Sequence, residues 1–79
     1  MHHDLKIEEQ YFDRIADGTK TFEIRFNDRG YQTGDTVTLT YCFNKIHATI
    51  GFVTYFQQKE GYMVFSLLNV TVYREGVMK

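Results

Sequence analysis

The 79 residues allow one domain and no second core. A formal net charge of −1 excludes a global attraction to DNA or anionic lipid, so nucleic-acid contact would need a local patch, with long duplexes disfavoured. One cysteine, Cys42, excludes an internal disulfide and fits a reducing cytoplasm, and no apolar run approaches the roughly 18 residues of a membrane span.

In chain order, the polar opening "MHHDLKIEEQ" does not read as a signal peptide. "HDLKI" alternates, with Leu5 and Ile7 on one face, and predicts a short first strand. His2, His3, His47 and Cys42 match no zinc spacing, and adjacent histidines on a strand point to opposite faces, so neither metal nor other cofactor is expected. Tyr11, Phe12, Ile15 and Ala16 recur at helical spacing and predict one amphipathic helix over 9–17. Glu8 and Glu9 suit its positive end, and Gly18 suits a left-handed cap at the other.

"TKTFEIRF" switches to period two over 20–26, with Phe22, Ile24 and Phe26 taken as the inward face and Thr21, Glu23 and Arg25 as the outward one. "NDRGYQTGD" is a loop by its turn residues. Strands are then expected near 36–43, 46–56 and 62–72, the first with Val37, Leu39, Tyr41 and Phe43 inward. A tight hairpin turn falls at Asn44–Lys45, and Gly51 marks a bulge or bend. The last strand is apolar on both sides through Leu68 and calls for cover, for which the helix is available. Residues 1–2 and about 74–79 are expected to fray at the ends of the domain. The class is mainly β (α+β): five strands closing into a small, highly curved barrel with one covering helix.

One stretch concentrates charge. "GTKTFEIRFNDRG" sets Lys20, Glu23, Arg25, Asp28 and Arg29 among three aromatic or branched apolar positions. "GTKTFEIR" fits G-x-K-x-x-E-x-R, with Gly18, Lys20, Glu23 and Arg25 in place, and resembles the signature of the ASCH domains. "HDLKI", "YFDRIADGTKTFEIRFNDRGYQTGD" and "EGYMVFSL" are similar to a small bacterial and phage family of unknown function 3850, a branch of the ASCH, PUA-like group. The resemblance runs from His3 to about Leu68. It implies a single PUA-like β-barrel domain whose helix and adjoining strands frame a cleft lined by the motif. For the wider group it implies RNA-related or nucleotide-related roles, and for this branch no settled one.

Three uses of the cluster follow. Lys20, Glu23 and Arg25 could form an ion network that holds the helix against the sheet. Alternatively Lys20, Arg25 and Arg29 donate to phosphate, with Glu23 or Asp28 orienting them or accepting from a base edge. Tyr31, Tyr41 and Tyr55 are then candidate stacking platforms for single-stranded RNA or a nucleotide-like ligand. The third use is catalytic. Relatives in the ASCH group hydrolyse acetylated cytidine with the motif lysine, a threonine and a downstream carboxylate. Lys20 matches the lysine, but Glu23 stands at the threonine's position, and Glu60 matches the carboxylate only loosely. Lys20 lies next to the helix C-terminus and three residues from Glu23, a setting for a charged lysine that holds anions. The expectation is therefore a cytoplasmic RNA- or nucleotide-binding domain, with a modified-nucleoside hydrolase acting through Lys20 and Glu23 as the alternative. A protein-interaction module in a phage or mobile-element setting is the remaining class.

Overall fold

The computed structural model describes residues 1–75. In chain order the elements are β1 (His2–Lys6), α1 (Glu9–Ala16), β2 (Phe22–Phe26), β3 (Thr36–Tyr41), β4 (Asn44–Thr54) and β5 (Tyr62–Tyr73). The five strands form one sheet in the order β1-β3-β4-β5-β2, curled into a half-barrel. β1 runs parallel to β3, and every other pairing is antiparallel. β1 and β2 are thus the two edges, and the seam between them stays open.

The core fills the concave side. Val37, Leu39, Ile46, Ile50, Met63 and Phe65 are fully enclosed, and the helix contributes Phe12 and Ile15. β1 delivers Leu5 as its alternation requires, and Ile7, just past its end, is buried and donates its N–H to Thr40 O at 3.0 Å. α1 packs against β3, with the Phe12 and Tyr41 rings 6.4 Å apart. Tyr11, the fourth member of the expected helical stripe, lies 45% exposed, because the stripe is wider than the core it meets.

β2 reverses the expected phase. Glu23 is only 5% exposed, whereas Phe22, Ile24 and Phe26 are 39%, 50% and 52% exposed. Its register against β5, Glu23 opposite Phe65 and Arg25 opposite Met63, turns the charged residues toward the concave side. β5 differs from expectation as well. Met63, Phe65 and Leu67 are buried, Tyr62, Val64 and Ser66 are half-buried, and residues 68–71 are exposed, so the strand has one covered face rather than two.

The β3–β4 hairpin turns at Cys42–Phe43, two residues earlier than expected. Core pairs Val37↔Ala48 and Leu39↔Ile46 set the register, which carries β4 back to Asn44 opposite Tyr41. Cys42 takes the left-handed φ of 53°, and Phe43 is left 78% exposed instead of packing inward. Gly51 does sit at a register irregularity between Ile50 and Val53. A Cβ there would come within 2.5 Å of Ser66 Oγ and 3.0 Å of the Leu68 side chain, so any larger residue would force those β5 side chains to shift.

The ends are tied where fraying was expected. His2 pairs with Thr36, and the Met1 amino group bonds Asp35 Oδ1 at 3.0 Å. Arg74 reaches Asp13 at 3.6 Å and stacks over the Phe12 ring, and Glu75 N–H donates to Asn44 Oδ1 at 2.9 Å. The rest of the expected C-terminal fray, 76–79, lies outside the described residues.

Candidate functional site

A cleft of about 630 Å³ opens at the seam, between the end of β1, the first turns of α1 and the edge strand β2. Lys20, Glu23 and Arg25 line it, together with Lys6, Glu8, Tyr11, Ile24 and the flanking aromatics Phe22, Phe26 and Tyr62.

The turn after α1 places Lys20. Gly18 adopts the left-handed φ of 85° that ends the helix, and the Asp17 carboxylate accepts from the Thr19 N–H at 2.9 Å and hydroxyl at 2.6 Å. Those bonds from Thr19 hold the Asp17 carboxyl below its ordinary range. The Arg14 carbonyl, left free at the helix end, accepts from the Lys20 N–H at 3.0 Å and from Thr19 Oγ1 at 3.3 Å. The lysine therefore leaves the helix at a fixed height and enters β2 beside the cleft.

Strand alternation then brings Glu23 and Arg25 to one face. The buried Glu23 carboxylate receives Lys20 Nζ on Oε1 at 2.6 Å. On Oε2 it receives Arg25 Nε at 2.9 Å and Nη2 at 2.8 Å. Lys20 Nζ also donates to Phe22 O at 2.6 Å and sits 4.9 Å and 5.5 Å from the Phe22 and Tyr11 ring centres. Arg25 Nη2 crosses the seam to Lys6 O at 2.8 Å, so one guanidinium links the two edge strands. Its Nη1 end has no partner among the described residues. A carboxylate this buried is tolerated because both its oxygens are met by cations in hydrogen-bonding geometry. The cleft as a whole holds three cations, Lys6, Lys20 and Arg25, against two carboxylates, Glu8 and Glu23. Local charge is positive although the chain is acidic.

The remaining sequence-expected residues are elsewhere. Asp28 and Arg29 face each other at 3.9 Å on the exposed loop and do not line the cleft. Tyr31 is 4% exposed, its ring 4.8 Å from His3 and 5.1 Å from Phe65, which leaves no face for stacking. Burial pushes its phenol above the ordinary range, with Arg25 and Arg29 opposing that. Tyr41 is half-buried against Phe12, and Tyr55 is exposed with its hydroxyl bonded to Asn27 Nδ2. Glu60 is exposed in the β4–β5 turn, away from the cleft lining. Sequence reasoning missed Lys6, Glu8, Tyr11 and Tyr62, which only the seam brings to the cleft, and the apolar residues of β2. For β2 the signal was present in "FEIRF", whose alternation fits either phase equally well.

A second polar cluster lies on the concave side of β1. His3, 3% exposed, bonds Asp35 Oδ2 through Nε2 at 2.9 Å. With the Met1 amino group and the Gln32 N–H on the same carboxylate, this bond holds the Asp35 pKa down at about 2. It braces the β2–β3 loop against β1.

A curved, mainly β domain with a cationic cleft at its open edge is the class that this fold and site define. Family comparison narrows it. The chain belongs to the family described as "Domain of unknown function (DUF3850)", whose model matches residues 2–67. It is also 43% identical over 37 residues to an "Uncharacterized 12.9 kDa protein in GpA 3'region" of Escherichia phage P2. That match covers 47% of this chain and 34% of the phage protein, so the chain spans about a third of that relative.

Proposed function

We propose that the seam cleft binds single-stranded RNA or a nucleotide-like ligand, in keeping with the ASCH, PUA-like group that the G-x-K-x-x-E-x-R stretch resembles. The observation that carries the reading is the buried Glu23 carboxylate, which holds Lys20 and Arg25 at the cleft and leaves the Arg25 Nη1 end open. Cations fixed in this way present donors to a phosphate without the entropic cost of ordering free side chains. Tyr11, Phe22, Phe26 and Tyr62 supply flat apolar walls for a base. Such a domain works in the cytoplasm, where the exposed Cys42 thiol stays reduced.

A hydrolase acting on a modified nucleoside through Lys20 is the weaker reading. Its Nζ donates to two acceptors, whereas a nucleophile needs a free lone pair, and Glu60 is not at hand to take part.

Binding isotherms for single-stranded RNA at several salt concentrations test the proposal. With Lys6, Lys20 and Arg25 on phosphates, log affinity against log salt should have a slope of about −2. Duplex DNA should bind markedly worse. Lys20→Arg keeps the charge, and about a tenfold loss of affinity is expected, roughly 1.4 kcal/mol. Absence of binding to any oligonucleotide or nucleotide would overturn the reading and favour a protein-interaction role.

A further inference from the structure

The backbone of β2 presents hydrogen-bonding groups in alternation. Leu67 N–H donates to Thr21 O at 2.9 Å and Asn27 N–H to Gly61 O at 2.8 Å, in the register that sets Phe22 opposite Ser66 and Phe26 opposite Tyr62. The ladder with β5 therefore uses Thr21, Glu23, Arg25 and Asn27, and the N–H and C=O groups of Phe22, Ile24 and Phe26 point off the free edge. Two of those three carbonyls are already engaged. Phe22 O accepts from Lys20 Nζ at 2.6 Å, and Phe26 O accepts from the Asp28 N–H at 2.9 Å. Ile24 alone keeps an open donor and an open acceptor side by side, and it lines the cleft beside Lys20 and Arg25.

Adding a peptide strand to this edge would require a run of open donors and acceptors, and the two capped carbonyls interrupt it. One donor–acceptor pair instead suits one flat group with the complementary pair. Every unpaired nucleobase offers one: N1 and the 6-amino group of adenine, N3 and the 4-amino group of cytosine, N3–H and O4 of uracil, N1–H and O6 of guanine.

Resting on the nucleotide-binding reading above, we infer that the Ile24 backbone N–H and C=O bind the Watson–Crick edge of a single unpaired base whose phosphate is held by Lys20 and Arg25. The readout distinguishes an open edge from a paired or alkylated one, and it does not rank the four bases. It also gives a structural reason for excluding duplexes, in which that edge is already taken.

The test compares uridine 5′-monophosphate with N3-methyluridine 5′-monophosphate, in which a methyl group replaces the N3–H donor and everything else is kept. Titration of the intact ¹⁵N-labelled chain should show the Ile24 amide resonance moving with the unmodified nucleotide. The methylated nucleotide should bind at least about tenfold more weakly, since it leaves the Ile24 carbonyl unmatched. Equal affinities, or an Ile24 amide that does not respond, overturn the base-edge inference while leaving phosphate binding intact. If neither nucleotide binds, the base-edge inference is overturned, and the reading above falls with it only when single-stranded RNA fails to bind as well. Ile24→Pro removes the N–H at an outward-facing edge position, where proline is tolerated. Confirmed folded by circular dichroism, it should bind uridine 5′-monophosphate about tenfold more weakly, because the N–H that meets O4 is gone while the carbonyl that meets N3–H remains; an unchanged affinity overturns the inference. Should the variant not fold, the nucleotide pair on the unmodified chain still decides.

Discussion

The two edge strands have the same length and the same period, and they use it in opposite ways. β1, "HHDLK", buries His3 and Leu5 and sends His2, Asp4 and Lys6 outward. β2, "FEIRF", buries Glu23, half-buries Arg25, and turns Phe22, Ile24 and Phe26 toward solvent. Leaving three apolar side chains about half exposed forgoes roughly 1 kcal/mol of burial in each. Placing a carboxylate beneath them adds a desolvation cost that only its two cations offset. The difference teaches where this small domain departs from the arrangement that would stabilise it best. Such departures concentrate at functional sites, and here the departing strand walls the cleft.

Each edge strand is anchored by a buried side chain, Glu23 in β2 and Leu5 in β1. Glu23→Ala strands Lys20 and Arg25 without their shared partner and frees the Arg25 stitch to β1. Leu5→Ala leaves a cavity at the equivalent depth. Each should destabilise by about 3 kcal/mol, measured by urea unfolding. If Glu23→Ala costs nothing while Leu5→Ala costs the full amount, β2 is not anchored through its charges.

Acid separates the edges next. Asp35, whose pKa His3 and the Met1 amino group hold down at about 2, contributes stability that is present above the ordinary carboxylate value of 3.8. That contribution is lost as the pH falls from about 4 toward about 2. Asp35→Asn should therefore lower stability at neutral pH and flatten its decline across this window. A decline as steep as that of the unmodified chain would show that the β1 brace does not carry the acid sensitivity.

The smallest effect is expected at Ile24. Because its side chain is 50% exposed, Ile24→Thr should change stability by less than about 1 kcal/mol. A loss of core size, about 2 kcal/mol or more, would mean that β2 faces the other way.

Several elements were legible without coordinates. The helix shows in its stripe and in Gly18, the strands in their period-two runs, and the bulge in Gly51, because each depends on spacing or backbone freedom within a few residues. The motif trio was legible too, since Glu23 and Arg25 are two apart on a strand and Lys20 stands in the turn just before it. The hairpin turn was not. Asn44–Lys45 has turn chemistry, yet the pairing of Leu39 with Ile46 pulls both residues into β4 and forces Cys42 to a positive φ. Tyr31 misled for a similar reason. It sits in a polar loop by sequence, but the loop folds back so that its ring fills the space between His3 and Phe65.

By itself, then, the sequence determined the period of each element, the end of the helix and the grouping of Lys20, Glu23 and Arg25. Tertiary structure decided the phase of β2, the strand order and the seam. The physical reason is that an alternating strand is locally indifferent to which of its faces is buried. Pairing of β2 with β5 at the open edge of the sheet makes that choice, and it puts charge beneath the cleft and aromatic rings along its walls.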